Sequence, residues 1–404
     1  MHKLEDVPAL ELRKLVDHLQ RSWTDQVDDH LQVDPRIYHD PEVARLERER
    51  VFGRAPIAVV HSSELAEPGA FRTVRLPNNE ALLIRQKDGS IRAFVNACRH
   101  RGALLEEREE GTCVRSRVQC PYHGWSYNID GSLKSPTHQV SFGEFDQIAA
   151  GLVRLPAEER HGFVWVVDRA GAPIDVAGWL GPQMDAILGS YGIETHVCFK
   201  YGAFFENANW KVLQDAFLDG YHIQFVHAET AAKMTYTNVL TLEDYARHTR
   251  FLSPRKSLGR LLEDRDADDL GDEEIRSNVN ISHGLLPNST LLYLPQPDHF
   301  QLLSFFPDPK NTARSRMELR LIVPRVEDSG WEAEKWERIW GKNWKINMDI
   351  LRDEDFPIAR NAQRALESAD AGPLTIGRNE VANSVFHREL TRLMQTPLGE
   401  EPAR

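Results

Sequence analysis

The chain has 404 residues, a formal net charge of -12 and four cysteines. This length exceeds one typical hydrophobic core, so we expect two domains. The acidic balance, with no block of basic residues, argues against a nucleic acid or an anionic membrane as partner. No apolar run approaches the length of a membrane span, and the first residues, M-H-K-L-E-D, do not resemble a secretion signal. We therefore expect a cytoplasmic protein whose cysteines do not form a disulfide framework.

Residues 1–52 are predicted to be mostly helical. The run A-L-E-L-R-K-L-V-D-H-L-Q carries leucine and valine near helical spacing. The run P-E-V-A-R-L-E-R-E-R-V-F repeats this pattern, and Pro41 stands in its first turn, where proline is tolerated. We expect these helices to pack on the C-terminal domain or on a neighbouring subunit.

Residues 53–168 change to short runs rich in β-branched residues. The strand candidates are P-I-A-V-V-H, F-R-T-V-R-L, A-L-L-I-R-Q, I-R-A-F-V-N and, at the end, G-F-V-W-V-V. Turn-forming residues separate them, as in P-N-N and K-D-G-S. These residues are therefore predicted to form a small antiparallel β domain.

Two motifs in this domain each place a cysteine close to a histidine. C-R-H-R-G contains Cys98 and His100, and C-P-Y-H-G-W contains Cys120 and His123. Two thiolates and two imidazoles suit either a tetrahedral zinc ion or a [2Fe-2S] cluster in which histidine replaces cysteine on one iron. The aromatic residues and glycines around these motifs are typical of loops that shield a cluster, and these motifs lack the H-x3-5-H helix of a zinc finger.

Residues 169–404 form the second predicted domain. A linker-like segment leads to a short helix around Met184 to Leu188 and then to the strand-like run T-H-V-C-F-K-Y-G-A-F-F-E-N. The runs S-T-L-L-Y-L, F-Q-L-L-S-F-F and S-R-M-E-L-R-L-I-V predict further strands of a meandering antiparallel sheet. Helices and an antiparallel sheet together give the chain an α+β fold class.

Two segments of this domain have a structural and a functional interpretation. Trp336, Trp340 and Trp344 share one helix face; we expect them to pack the helix on the sheet, and the alternative is a wall of a substrate cavity. Residues 253–278 are highly charged; we expect a solvated loop with a short helix, and the alternative is a mobile cover over a substrate entrance.

The stretch at residues 209–227, N-W-K-V-L-Q-D-A-F-L-D-G-Y-H-I-Q-F-V-H, is predicted to be helical. Asn209 is a good N-cap, and Asp215, Asp219 and His222 would lie along one face of a regular helix. A polar stripe of this kind inside an otherwise apolar helix needs a partner.

His222 and His227 in this stretch are candidate metal ligands. They are about 140° apart around a regular helix, so both reach one point only if the chain bends after Gly220, where glycine makes a break easy. Two imidazoles and one carboxylate suit Fe(II) and leave positions open for O2 and substrate. A histidine pair near a helix end is also common without any metal.

The cysteine and histidine motifs followed by N-W-K and D-G-Y-H-x4-H resemble the catalytic (alpha) subunits of Rieske non-haem iron aromatic-ring-hydroxylating oxygenases. The resemblance runs over about residues 50–392. It implies that 53–168 is an antiparallel β Rieske domain and 169–404 a catalytic domain with an antiparallel sheet covered by helices. It also implies one [2Fe-2S] cluster per subunit on Cys98, His100, Cys120 and His123, and one Fe(II) per subunit on His222 and His227.

The third iron ligand is also indicated by the resemblance. In the family, an E-D pair precedes a Q-R-G-L-like string by eight residues, and here Glu354 and Asp355 precede the string Q-R-A-L. Asp355 is therefore the predicted ligand, with Asp353 as the alternative. We expect Pro357 to break the helix just after Asp355 and to aim its side chain inward.

Asp219 is the candidate catalytic carboxylate of the electron path. It lies three residues before His222 and can accept a hydrogen bond from that imidazole, which fixes its tautomer. By resemblance, Asp219 also bridges to a cluster histidine, best matched by His123, of a neighbouring subunit in a trimeric ring. Asp215 is expected to form an ion pair with Lys211, and the alternative is that it alters the polarity of the iron pocket.

The resemblance implies an oxygenase that uses electrons from NAD(P)H to activate O2 and to hydroxylate, or oxidatively demethylate, a small organic substrate. A separate ferredoxin or flavin reductase, or both, would deliver the electrons, because the chain lacks a G-x-G-x-x-G nucleotide fingerprint. The implied assembly is a homotrimer or another α3-type ring, with or without a β subunit.

The substrate is expected to be aromatic or polycyclic. The residues that would line an apolar pocket are Phe204, Phe205, Phe217, Phe225, Tyr236, Phe305 and Phe306, although most phenylalanines are simply core. The alternative within the family is a quaternary-amine monooxygenase with an aromatic cage. The alternatives from other classes are a Rieske electron-transfer protein without oxygenase activity and a zinc-binding interaction module.

Overall fold

The computed structural model describes residues 7–368 and 370–400. The chain divides into two compact units, one made of Met1–Glu47 with Leu180–Arg404 and the other of Arg48–Trp179. The domain boundaries inferred from the sequence, after residues 52 and 168, stay predictions.

The smaller unit is built from three antiparallel sheets. In spatial order, the five-stranded sheet contains Arg154–Leu155, Ile91–Val95, Glu80–Arg85, Ala70–Arg75 and Glu110–Thr112. One three-stranded sheet contains Ala157–Arg160, Phe163–Val166 and Ile57–His61. The other contains Arg117–Gln119, Ser126–Asn128 and Leu133–Ser135. All five strand candidates of this region are confirmed, and one hydrophobic core includes both Cys98 and Cys120.

The larger unit is organised around a seven-stranded antiparallel sheet. In spatial order its strands are Val197–Glu206, Ser315–Val323, Asp298–Pro307, Ser289–Pro295, Val279–Leu285, His248–Pro254 and Thr241–Tyr245. Val197–Glu206, the first strand of this sheet along the chain, pairs with Ser315–Val323, the last strand of this sheet, and the others follow as a meander. The four strands predicted in this unit are confirmed, and with them the α+β class.

Three strands of this sheet, Thr241–Tyr245, His248–Pro254 and Val279–Leu285, have no counterpart among the predicted elements. Their sequences do not show the alternation of apolar and polar residues that is typical of a strand, because several of their buried residues are polar. Arg250 is only 1% exposed, and its Nε donates to Glu243 Oε2 at 2.6 Å across the strand pair. A hydrophobicity pattern does not reveal the partner that allows such a residue to be buried in a core.

The chain also contains helices, of which Ala9–Arg21, Trp210–Ala216 and Val381–Gln395 contact this sheet. Their bounds are Ala9–Arg21, Pro41–Leu46, Val176–Ser190, Trp210–Ala216, Ile223–Val226, Lys256–Asp264, Asp272–Arg276, Ala333–Ile350, Phe356–Leu366 and Val381–Gln395. Two π-helical segments, Glu47–Phe52 and Leu351–Asp355, extend the helices before them. Leu31–Val33 pairs with Leu374–Ile376 as a separate two-stranded sheet. None of the helices in the described part of the chain is long and apolar enough to cross a membrane.

The charged segment at residues 253–278 forms two helices rather than a loop with one. They are Lys256–Asp264 and Asp272–Arg276. Arg13 of the N-terminal helix donates to Ala267 O at 2.8 Å, to Leu270 O at 2.7 Å and to Asp272 Oδ1 at 2.8 Å. The N-terminal helix therefore anchors the connection between them, and motion of this segment stays a prediction.

The tryptophans of the long helix Ala333–Ile350 pack against the sheet, as expected. Trp340 is fully buried with Leu321 and Val323, and Trp336 and Trp344 pack around them. Another side of this helix faces the cavity described below, so the alternative interpretation of the tryptophans is wrong.

Candidate metal centres

The two cysteine and histidine motifs of the smaller unit fold into two equivalent tight turns. Cys98 N donates to Ala103 O at 2.8 Å, and Gly102 N donates back to Cys98 O at 2.9 Å. The second turn repeats this exchange between Cys120 and Trp125 at 2.8 Å and between Gly124 and Cys120 at 3.0 Å. Both glycines have positive φ, +73° and +72°, a conformation that glycine adopts without strain.

These turns bring the two imidazoles close to each other and place both thiols in one hydrophobic core. The ring centroids of His100 and His123 are 4.7 Å apart, and the Nδ1 atoms of both rings are buried without a hydrogen-bond partner. Cys98 and Cys120 are 4% and 2% exposed. Buried imidazole nitrogens without a partner are costly unless they bind something, so this donor set fits a cluster with two cysteine and two histidine ligands.

Aromatic rings cover the imidazole side of this site. Trp125 stacks on His100 with centroids 5.1 Å apart, and Phe142 meets His100 edge-on at 5.5 Å. Burial, followed by the nearby His123 and Arg101, lowers the pKa of His100. A neutral imidazole with a free nitrogen is the form that binds metal.

The stretch at residues 209–227 is not one bent helix. Asn209 caps the helix Trp210–Ala216, as predicted, by accepting from Lys211 N at 3.0 Å. The helix ends before Asp219, a turn follows, and the short helix Ile223–Val226 starts after His222. The expectation that Asp215, Asp219 and His222 line one helix face is therefore wrong, because only Asp215 lies in the helix, whereas Asp219 and His222 lie after its end and contact each other.

Asp215 belongs to a buried polar cluster away from His222. It accepts from Tyr38 Oη at 2.7 Å and pairs with His387 Nε2 at 2.9 Å. Lys211 pairs instead with Glu47 at 2.5 Å, and both side chains of this pair are 1% exposed. The expected ion pair between Asp215 and Lys211 is therefore wrong, because each finds a partner from the N-terminal region that local spacing does not reveal.

The predicted ligands His222, His227 and Asp355 converge. Each offers one ligand atom, and the three atoms all lie within 4.8 Å of one another. His227 Nε2 is 3.1 Å from Asp355 Oδ1. Burial opposes protonation of His227, but the carboxylates of Asp355 and Glu354 outweigh burial and raise its pKa.

Each of these imidazoles also contacts a second carboxylate through Nδ1. His222 Nδ1 lies 3.0 Å from Asp219 Oδ1, and His227 Nδ1 lies 2.5 Å from Glu354 Oε2. Thr230 Oγ1 donates to the same Glu354 oxygen at 2.7 Å. These Nδ1 contacts do not use the Nε2 atoms, and His227 Nε2 faces the third predicted ligand, Asp355. A carboxylate behind each imidazole is the arrangement that orients histidine ligands in metal sites. Glu354 was not predicted for this role; its place beside Asp355 in the E-D pair was the available signal.

Asp355 is aimed at the histidines by a π-helical turn and not by a helix break. Leu351–Asp355 is π-helical, and Pro357 follows in the first turn of Phe356–Leu366, which continues without interruption. The expected break at Pro357 is therefore wrong. Such turns often occur at functional sites, because the extra residue rotates one side chain out of register. The alternative ligand, Asp353, is exposed and pairs with Arg352 at 2.6 Å.

A cavity of about 320 Å³ opens beside His222, His227 and Asp355, all of which line it. Of the aromatic residues predicted to line a pocket, Phe217 and Tyr236 do so, and the structure adds Phe251 and Tyr293. The other predicted residues lie elsewhere: Phe305 and Phe306 are buried core, Phe205 and Phe225 are exposed, and Phe204 packs against Phe356.

Comparisons with known proteins agree with this picture. The Rieske [2Fe-2S] domain family matches residues 55–147, and the ring hydroxylating alpha subunit (catalytic domain) family matches residues 188–396. The fold and the two sites thus define the oxygenase component of a Rieske non-haem iron system, an oxidoreductase with a [2Fe-2S] cluster and non-haem Fe(II). The chain belongs to the ring-hydroxylating alpha subunit family.

Curated relatives differ in how much of their length matches. The chain is 34% identical over 203 residues to the large oxygenase component of a naphthalene 1,2-dioxygenase system of Pseudomonas aeruginosa, a match that spans 48% of this chain and 44% of that protein. It is 26% identical over 394 residues to the carnitine monooxygenase oxygenase subunit of Escherichia coli (strain K12), which spans 93% and 95%. Alpha subunits of this family work with separate electron-transfer partners and are oligomeric.

Solved structures share the fold at low sequence identity. A quaternary ammonium Rieske monooxygenase in complex with an inhibitor aligns with a TM-score of 0.77 at 21% identity, over 91% of this chain and 96% of that one. Naphthalene 1,2-dioxygenase bound to phenanthrene aligns with a TM-score of 0.69 at 20% identity, over 91% and 92%. These alignments show the architecture of the chain and do not indicate which substrate it uses.

Proposed function

We propose that this chain oxygenates a small organic substrate, with electrons from NAD(P)H delivered by a separate flavin reductase, a ferredoxin or both. The observation that carries the proposal is the convergence of His222, His227 and Asp355 at the wall of a cavity. A mononuclear Fe(II) held by two histidines and one carboxylate supplies O2 activation when bound, because one face of its coordination sphere stays open.

Each predicted site residue has a role in this proposal. Cys98, His100, Cys120 and His123 hold the cluster, and their buried, unpartnered imidazole nitrogens support this assignment. His222, His227 and Asp355 hold the iron. Asp219 and Glu354 are positioning residues, each of which fixes the tautomer and orientation of one imidazole.

Electrons are proposed to pass between copies of the chain. Asp219 would link His222 of one subunit to His123 of the next in a homotrimer or another α3-type ring. The structure of a quaternary ammonium Rieske monooxygenase, with a TM-score of 0.75 to this chain, gives insights into inter-subunit electron transfer in that protein, which supports the proposal by analogy.

The cavity supports a substrate with a sizeable apolar body, and we propose an aromatic or polycyclic one. Phe217, Phe251 and Leu303 contribute apolar surface beside the proposed iron site. The second candidate is oxidative demethylation by a quaternary-amine monooxygenase, which is favoured by the end-to-end match to a carnitine monooxygenase subunit. Both reactions would use the same iron site.

The test is NADH-coupled O2 uptake by the purified, iron-loaded protein with a reductase, over a panel of arenes and methylated amines. We expect about three Fe per chain, two of them in the cluster, and uptake that depends on the substrate. Formaldehyde release marks demethylation, and its absence marks ring hydroxylation. A protein that holds only the cluster iron and passes electrons without substrate-dependent uptake would instead be an electron carrier.

A further inference from the structure

The cavity has a polar end and an apolar end. His299, Gln301 and Leu303 are alternate residues of the strand Asp298–Pro307, and all three line the cavity, as expected when alternate side chains share one face. The next residue on this face, Phe305, contacts Phe217 with ring centroids 5.5 Å apart. Phe217 starts the turn that carries Asp219 and leads to His222, so the strand runs from a polar end toward the proposed iron site.

The long helix gives the distance between the two ends. Gln301 Nε2 is 3.4 Å from Asn347 Oδ1, and Asn347 lies eight residues before Asp355. At the α-helical rise of 1.5 Å per residue the separation is at most about 12 Å, since the π-helical Leu351–Asp355 rises less per residue. This length suits a substrate with one group at the polar end and its reacting carbon near the iron site.

Arg255 contributes a positive charge to the polar end. It follows the strand His248–Pro254 and lines the cavity, where its Nη1 donates to Asn280 Oδ1 at 3.1 Å. Its Nε is buried without a hydrogen-bond partner. The carboxylates among the cavity-lining residues of the described chain are Asp219 and Asp355, both at the iron end. Arg255 therefore has no carboxylate partner among the described residues that line the cavity.

The neighbours of Arg255 do not neutralise its charge. Burial, with a smaller contribution from the charge of Arg255, lowers the pKa of His299 to about 4, so His299 is neutral near pH 7. Lys256 adds a second cation, whose Nζ lies 3.8 Å from the centre of the Tyr236 ring. A partly buried guanidinium without an anion is unfavourable, and an oxyanion with two accessible oxygens, such as a carboxylate or a sulfonate, can accept two of its N–H groups at once.

We propose that Arg255, held in place by Asn280, binds a carboxylate or sulfonate group of the substrate. The substrate is then an organic anion whose apolar body fills the cavity as far as the His222, His227 and Asp355 end. This inference rests on the proposed function, and it narrows the substrate class. It disfavours a substrate whose only charge is positive, because Arg255 would repel it.

Binding of matched ligand pairs tests this inference without turnover. Anaerobic titration calorimetry of the iron-loaded protein would compare benzoate with benzamide, naphthoate with naphthamide, and each arylsulfonate with its sulfonamide. We expect at least one anion to bind about tenfold or more tightly than its neutral amide, the effect of a hydrogen bond to a charged group. Separate carboxylate and sulfonate series show which oxyanion is preferred.

Variants assign the preference to Arg255. We expect Arg255→Gln to weaken binding of the preferred anion about tenfold and to leave the amide unchanged, whereas Arg255→Lys keeps part of the preference. Arg260→Gln is the matched control, because it removes an exposed positive charge from the helix Lys256–Asp264 and should bind both ligands as wild type does. Iron content and the cluster spectrum should be equal in all four proteins.

The inference is overturned if no anion in either series binds more tightly than its amide, or if Arg255→Gln keeps the wild-type preference. If Arg255→Gln binds neither the anion nor its amide, the inference is also contradicted, because that result indicates a structural role for Arg255. Absence of substrate-dependent O2 uptake bears instead on the proposed function, since binding is measured without O2 or reductase.

Discussion

The imidazoles of His222 and His227 are held in the same way by different parts of the chain. Asp219, three residues before His222, accepts from its Nδ1 at 3.0 Å, and Glu354, 127 residues after His227, contacts its Nδ1 at 2.5 Å. Neither contact uses Nε2, and His227 Nε2 instead faces Asp355 Oδ1 at 3.1 Å. Removal of either carboxylate should therefore disturb the orientation of the imidazole that it contacts, while that imidazole remains available as an iron ligand.

Asp219→Ala is expected to leave cluster and iron bound but to reduce coupled turnover by about 10–100-fold or more, the usual effect of losing a carboxylate behind a metal-bound histidine. Metal analysis, the cluster spectrum and NADH-coupled O2 uptake check this outcome.

Asp353→Asn is the control for Asp219→Ala, because Asp353 is exposed and paired with Arg352. It should keep both its iron and its activity. Wild-type rates in Asp219→Ala would remove Asp219 from the electron path, and loss of iron in Asp353→Asn would reopen the choice of third ligand.

At the scale of elements, the helix Trp210–Ala216 is fixed by a buried charge from the N-terminal region. Glu47 Oε1 lies 2.5 Å from Lys211 Nζ, and Glu47 Oε2 accepts from Trp210 Nε1 at 2.9 Å. Glu47 is also the first residue of a π-helical segment. The contact ties the start of the chain to the element that leads into the proposed iron site.

Lys211→Met should lower the free energy of unfolding by about 3–5 kcal/mol, because it leaves the Glu47 carboxylate buried without its cation. Urea unfolding measures this change. The double variant Glu47→Gln with Lys211→Met should recover part of the loss, since no buried charge then remains unpaired. If Lys211→Met alone is as stable as wild type, water or another group compensates the charge of the buried Glu47 carboxylate.

Element prediction succeeded where the pattern is local. The strand Ser315–Val323 and the helix Ala9–Arg21 follow from periodicity alone. The strand His248–Pro254 does not, because Arg250 is acceptable in a core only beside Glu243. The π-helical turn at Asp355 was also missed, since a single extra residue per turn leaves almost no trace in a sequence pattern.

At the scale of the whole molecule, the proposed electron path requires more than one copy of the chain. A mixture of His123→Ala chains, which lack a cluster ligand, with His222→Ala chains, which lack an iron ligand, tests this requirement. In a ring formed at random from equal amounts, about one interface in four joins an intact cluster to an intact iron site. We expect about a quarter of the wild-type turnover per ring, measured as O2 uptake.

Each variant alone should be inactive, and each should form rings of the wild-type size in gel filtration. An inactive mixture of such rings would contradict electron transfer between subunits and favour a path within one chain.

The sequence by itself determined the cluster motifs, the histidine pair and the order of the two domain types. Cys98 with His100, Cys120 with His123 and His222 with His227 are each at most five residues apart, so their chemistry is set by local turns that short motifs encode. The family and its two cofactors follow from these motifs.

Only the tertiary structure decided which distant residues complete the sites. Glu354 meets His227, Glu47 meets Lys211, and Arg255 stands in the cavity without a carboxylate beside it. Such pairings join residues far apart in the chain and depend on how helices and sheet pack. Spacing along a sequence carries no information about them, because the free energy of a buried charge depends on what surrounds it in space.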